Sequence, residues 1–150
     1  PQDKVCTALV EQLGLYPTLA DLTNTGTVGS PARQPLQGAP PAISDVRFTD
    51  LVRAPDLPGP DAVFSEYNLR GDNCQYMIRT SQYKYIHNDS STDELYDLLN
   101  DPEENTNIAA DAGHAALCRD LRAQLFDWFD PQKNPFRGSI SDQALAVTNP

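Results

Sequence analysis

Nothing in this sequence approaches the roughly twenty consecutive apolar residues that a membrane-spanning helix needs. Cations are scarce too: 11 Lys and Arg stand against 21 Asp and Glu, for a formal net charge of −10. Nucleic acids and anionic lipid surfaces are gripped by clustered Lys and Arg, so no nucleic acid and no membrane is an expected partner. Cysteine is limited to Cys6, Cys74 and Cys118, widely spaced and without a Cys-x-x-Cys or Cys/His ligand pattern, which argues against zinc. A Cys74 to Cys118 disulfide in an oxidising compartment stays open, because spacing alone does not bring two sulfurs within reach. The chain starts at Pro1-Gln2-Asp3-Lys4 with no Met and no charged-then-apolar leader, so targeting information is expected to lie outside it.

Proline and glycine, by contrast, are plentiful. A chain of 150 residues is long enough to bury a core, yet 13 prolines and 8 glycines fall mostly outside the periodic stretches. Residues Val5 to Leu22 carry Val5, Leu9, Val10, Leu13, Leu15, Leu19 and Leu22, interrupted by Pro17. A proline inside a helix costs roughly 3 kcal/mol, so a break is expected near Tyr16, with Pro17 in the first turn of a short second helix. So short a helix needs partners to survive, and Leu9, Leu13, Leu19 and Leu22 read as shaped for a neighbour. Thr23 to Pro60 reads as crossing loops, punctuated by Pro31, Pro35, Pro40, Pro41, Pro55, Pro58 and Pro60. One periodic island, Val46 to Val52, predicts a turn of helix with Phe48, Leu51 and Val52 facing inward. The boundary between two parts is expected here, with 1–42 closing one domain and 43–150 forming the next.

The most ordered stretch runs from Met77 to Glu104. Met77 to Thr80 and Tyr83 to His87 are rich in β-branched and aromatic residues and predict two antiparallel strands joined at Ser81-Gln82. Period-two alternation sorts Tyr83, Tyr85 and His87 to one face and Lys84 and Ile86 to the other. Ala62 to Tyr67 predicts a preceding strand, and Asn68 to Asn73 is turn chemistry apart from Leu69. Glu94 to Leu98 predicts a further strand, and Asp101-Pro102-Glu103-Glu104 has the composition of a helix start. From about Ala112 to Phe129, Leu117, Leu121, Leu125 and Trp128 recur at helical spacing, predicting an amphipathic helix laid on the sheet. Asp130-Pro131 ends it, and Gln132 to Pro150 reads as a tail. The fold class is therefore α+β: a small antiparallel sheet packed by one C-terminal amphipathic helix.

Candidate chemistry is sparse. Glu66 with Glu94, or Asp97 with Asp101, would make carboxylate pairs, but general acid/base work needs a cleft and displaced pKa values, and 21 acidic residues produce pairs by coincidence. His87 and His114 have no Ser or Cys partner at a recognisable spacing and read as surface or structural groups. Asn88-Asp89-Ser90 is an N-glycosylation sequon, meaningful only in a eukaryotic secretory pathway.

Ser65-Glu66-Tyr67, Met77-Ile78-Arg79-Thr80, Tyr83-Lys84-Tyr85-Ile86 with Asn88, Glu94 to Leu98, and Asn100-Asp101-Pro102-Glu103-Glu104 followed by Asn107-Ile108-Ala109 resemble, in this order, the small C-terminal subdomain of sulfatases. These are the formylglycine-dependent branch of the alkaline-phosphatase-like hydrolases. Val10 to Leu22 is similar to the last helical segment of the family's large α/β catalytic domain, although Gly14 stands where the family often has Asp. The likeness runs from about Leu9 to Phe129. It implies a place at the rim of the active-site cleft for Asn68 to Asn73, with Asn68, Arg70 and Asn73 helping to choose the substrate; Asn68 stands where many members have His.

The resemblance also shows what is missing. The family's nucleophile is a formylglycine made from Cys in a Cys-x-Pro-Ser-Arg context, and none of the three cysteines has that sequel. The Asp/Asn/His set for the family's calcium ion has no counterpart, and hard cations need several convergent oxygens. The chain alone is expected to be catalytically silent. The calcium ion and formylglycine are expected in an N-terminal catalytic chain or domain, which is the implied partner, acting on a small-molecule or carbohydrate sulfate ester. A secretory location, whether extracellular, periplasmic or lysosomal, is the one favoured. Two other readings are a phosphonate or phosphate monoester hydrolase of the same superfamily and a non-catalytic binding module.

Overall fold

The computed structural model describes residues 3–23, 48–67 and 74–129, within two compact units, Pro1–Asp61 and Ala62–Pro150. The boundary expected at 42/43 lies outside the described residues, as does the tail from Gln132.

In the first unit a 3-10 turn, Gln12–Gly14, runs straight into helix α1, Leu15–Leu22, and the Leu15 N–H donates to Gln12 O. The chain does not break near Tyr16. Pro17 is the third residue of the helix. Its missing N–H falls where a helix has no internal acceptor anyway, so the proline is tolerated without a break. Thr18, buried, donates its hydroxyl back to Gly14 O at 2.7 Å. Leu15, Leu19 and Leu22, spaced to share one helix face, remain 47%, 51% and 51% exposed. Helix α2, Phe48–Arg53, has Asp50 in its first turn and Arg53 in its last, the signs the helix dipole favours. Leu51 is buried as expected, but Val52 is 51% exposed and buried Thr49 sits inside instead. Consecutive helical residues lie about 100° apart, so Leu51 and Val52 do not both face inward. The Phe48 side chain lies outside the described set. A Cβ on Gly59 would sit 2.8 Å from Ala8 Cβ, so this close approach of two segments requires glycine.

The second unit is a meander. Strands β1 (Ala62–Tyr67), β2 (Gln75–Thr80), β3 (Tyr83–Asn88) and β4 (Glu94–Asp97) pair antiparallel in the order β1-β2-β3-β4. At the β2–β3 turn the Thr80 hydroxyl oxygen accepts from Tyr83 N at 2.9 Å and Gln82 N at 3.3 Å, which fixes the two-residue link. The register sets Phe64 opposite Ile78, Ile78 opposite Tyr85 and Tyr85 opposite Leu95, one apolar row across all four strands. Tyr76 and His87 form the next row on the same face.

Helix α3, Ala115–Phe129, covers that face. Asp111 caps the 3-10 turn Ala112–His114 that leads into it, accepting from Gly113 N at 3.0 Å. Leu121, Leu125, Phe126 and Phe129 are buried against Tyr76, Ile78, Tyr85 and Leu95. Trp128 stacks on Phe64 with ring centroids 4.3 Å apart, and Phe129 meets Tyr76 edge-on at 4.9 Å. The expected stripe of Leu117, Leu121, Leu125 and Trp128 is thus part of a broader one that includes both phenylalanines.

Asp101 to Glu104 does not start a helix. The Asp101 carboxylate accepts from Thr106 N at 2.8 Å and Asn105 Nδ2 at 3.4 Å, and Glu104 takes a left-handed φ of 57°. The carboxylate that would cap a helix closes a turn instead, and a left-handed residue ends helical progression. This turn seats Glu104 against Lys84 and brings Asn107 to the sheet edge. There Asn107 Oδ1 accepts from Leu95 N at 3.0 Å and Ile108 N donates to Leu95 O at 2.9 Å, so the outer edge of β4 is covered.

Leu125→Ala should lower unfolding free energy by about 2–5 kcal/mol, while Leu99→Ala, at a residue 68% exposed, should change it by less than about 0.5 kcal/mol. Urea titration followed by the fluorescence of Trp128, the one tryptophan in the chain, measures both.

Candidate functional site

The described residues concentrate their polar chemistry around Asp93, in the loop between β3 and β4. His87, 6% exposed, lies on the helix-facing side of β3 between apolar neighbours, edge-on to Phe126 at 5.2 Å. An imidazole in such a place needs a polar partner. Its Nδ1 is 2.8 Å from Asp93 Oδ1, and its Nε2 is 3.5 Å from Asp89 Oδ1. Tyr85, two residues earlier on the same face, donates its hydroxyl to Asp93 Oδ2. The Asn88 N–H donates to Asp93 Oδ1 at 3.3 Å, and from α3 the Arg122 guanidinium lies 3.7 Å from Asp93 Oδ2. One carboxylate therefore gathers β3, its following loop and α3.

Burial alone would push the Asp93 carboxyl up, but hydrogen bonds from His87, Tyr85 and the Asn88 amide outweigh it and hold the group below the usual carboxylate range. Burial, then the Asp93 hydrogen bond, push the Tyr85 hydroxyl far above the ordinary tyrosine range. Both shifts run away from neutrality, so neither group is tuned for general acid or base work. The cluster is a structural tie. His87, read from sequence as a surface or structural group, is deeply buried and so not on the surface. The signal for its partner was its place on the Tyr85 face, where a buried polar ring must be answered; Asp93 read only as part of a polar loop.

The other candidates resolve into local structure. Glu94 accepts from Asn88 Nδ2 at 3.1 Å and from the Tyr96 hydroxyl at 2.6 Å, and that bond, with burial, lifts the Tyr96 hydroxyl to about 12. Asp97 accepts from Leu99 N at 3.1 Å and Asn100 Nδ2 at 2.8 Å, so it, like Asp101, serves a turn. His114 lies 3.3 Å from Asp111 at the helix start. Cys6, Cys74 and Cys118 form no disulfide, and burial pushes the Cys118 thiol up, away from the thiolate a nucleophile needs. Among the described residues no group of three or more His, Cys, Asp or Glu side chains is placed to hold a metal. No helix among them is long and apolar enough to cross a membrane. Asn68, Arg70 and Asn73 lie outside the described residues. Asn88 is 5% exposed, with its side chain bonded on both ends.

The second unit is thus a four-stranded meander covered by one helix, with a buried polar tie between sheet and helix. Residues 61–130 match the family model for N-sulphoglucosamine sulphohydrolase, C-terminal. Arylsulfatase K of Canis lupus familiaris is 34% identical over 106 residues, covering 67% of this chain and 19% of that protein. Delta 4,5-hexuronate-2-O-sulfatase of Bacteroides thetaiotaomicron is 36% identical over 62 residues, covering 41% of this chain and 13% of that protein. The solved structure of BT1596, a 2-O GAG sulfatase, shares the fold with a TM-score of 0.66 and 23% identity, over 96% of this chain and 31% of that one. The chain belongs to the sulfatase family, as its C-terminal portion. It spans about a fifth of the curated relative first named, 19% of its length.

Stability should fall in acid in a defined direction. Because the folded Asp93 carboxyl sits lower than in the unfolded chain, its contribution is complete above the ordinary aspartate value of about 3.9 and is lost as pH drops through the folded value. Asp93→Asn should lower the urea midpoint at pH 7 and flatten its decline between about pH 4 and pH 2. An unchanged acid limb in the variant would show that other carboxylates carry it.

Proposed function

We propose that this chain completes the fold and one wall of the active-site cleft of a sulfate-ester hydrolase whose nucleophile and metal lie in a separate catalytic portion. The observation that carries this reading is the α1 face. Leu15, Leu19 and Leu22 are each about half exposed (47%, 51% and 51%), and Val10 is 50% exposed. Contiguous apolar surface of this kind marks an interaction site, and burying each such side chain fully contributes about 1.5–3 kcal/mol. In a sulfatase the body for it to pack on is the large α/β domain, whose last helical segment α1 would be.

The missing chemistry fits the same division. Formylglycine would come from a Cys-x-Pro-Ser-Arg sequence, absent here, and the calcium ion from ligands that the described residues do not assemble. Asn68, Arg70 and Asn73, in the connection between β1 and β2, would line the cleft rim and contact substrate. One matched relative, a hexuronate-2-O-sulfatase, and the matched family model, N-sulphoglucosamine sulphohydrolase, C-terminal, bear names of enzymes acting on sulfated sugars, which supports a carbohydrate sulfate ester as substrate.

The purified chain should release no sulfate from an aryl sulfate or a sulfated disaccharide and should bind a hydrophobic dye. Adding the catalytic portion should suppress dye binding, and Leu19→Glu should block that suppression. A dye-silent monomer that hydrolyses sulfate esters unaided, or gains nothing from a catalytic portion, contradicts the proposal.

A further inference from the structure

We propose that folding closes the Asn88-Asp89-Ser90 sequon: a glycan on Asn88 and the intact sheet are alternatives, and the Asn88 amide is a tie across three strands. Asn88 is the last residue of β3, directly opposite Gln75 of β2. Its Oδ1 accepts from Gln75 Nε2 at 2.7 Å. Its Nδ2 donates to Glu94 Oε1 of β4 at 3.1 Å and to Thr92 O at 2.9 Å. Its backbone N–H donates to Asp93 Oδ1 at 3.3 Å, linking the tie to the buried carboxylate. Both amide hydrogens and the amide oxygen are thus committed, in a residue 5% exposed.

N-glycosylation needs the same atom. Transfer forms a bond from Nδ2 to the sugar C1, breaks the C1–O bond to the lipid-linked pyrophosphate donor, and releases one Nδ2 proton. The modified nitrogen keeps one hydrogen for two acceptors. The attached sugar is far larger than the hydrogen it replaces, on a residue only 5% exposed whose Nδ2 already meets Thr92 O and Glu94 Oε1. Losing either bond removes a hydrogen bond that pins the end of β3 to the loop and β4 beside it, and loosens the end of the β3–β4 pair. Transfer therefore competes with strand pairing, and an occupied Asn88 marks a chain that has not formed this sheet. The sequon itself carries no information about exposure, since three residues suffice to write it.

The full-length protein, expressed in a eukaryotic secretory host, provides the test. After limited proteolysis, peptide mass measurement should find Asn88 unmodified in the protease-resistant fraction, with any occupied Asn88 confined to the sensitive one. A resistant fraction carrying a glycan on Asn88 overturns the proposal. In a second measurement, Asn88→Asp, which keeps the size but removes both Nδ2 hydrogens, should lower the urea midpoint at neutral pH. A midpoint equal to the parent's overturns the tie, whatever the glycan does.

Discussion

An apolar row crosses all four strands on one face of the sheet, and it has to be kept from water. Phe64, Ile78, Tyr85 and Leu95 supply it, and α3 covers it with Leu121, Leu125, Phe126 and Phe129. A small meander has little stability without such a cover, because a sheet buries nothing until something packs on it. The loops serve the same contact. The left-handed Glu104 turns the chain after β4, Asn107 then seals the β4 edge, and Asp111 caps the turn that leads into the helix.

The polar groups within this contact obey a second constraint. His87 and Tyr85 point into the helix-facing side, and a ring nitrogen or hydroxyl there costs free energy unless paired. Asp93 answers both and accepts the Asn88 amide as well. The result is a carboxylate held in its ionised form by donors on several elements, which joins parts of the chain. On the opposite face Gln75, Asn88 and Glu94 form a similar line of bonds across β2, β3 and β4. Both faces converge on the same end of β3.

The sheet was legible because its alternation is local: Tyr83, Tyr85 and His87 against Lys84 and Ile86 need no tertiary information. So was α3, since its leucines recur at helical spacing. What the sequence hid depends on which of several competing partners each group takes once the chain folds. Asp101-Pro102 has the composition of a helix start, yet its carboxylate found Thr106 and Asn105 first. The break expected near Tyr16 does not occur, because a 3-10 turn runs straight into Leu15; Pro17 still falls in the first turn, as expected, where helices accept proline. Phe126 and Phe129 went uncounted because the leucine period drew the helix face too narrowly. Asp93 carries no spacing signal at all; its role follows only from the burial of His87. The fold was therefore readable further than the site, whose three expected rim residues lie outside the described structure.

The two units differ in how their apolar surface is treated, and the functional reading depends on that difference. The second unit encloses its own core, whereas α1 leaves Leu15, Leu19 and Leu22 half uncovered, at 47%, 51% and 51% exposure. Amide hydrogen exchange, compared between this chain alone and the full-length protein, tests this most directly. Protection over 75–97 and 121–129 should be the same in both, while protection over 15–22 should appear only in the full-length protein. Equal protection of 15–22 in the two would contradict the account.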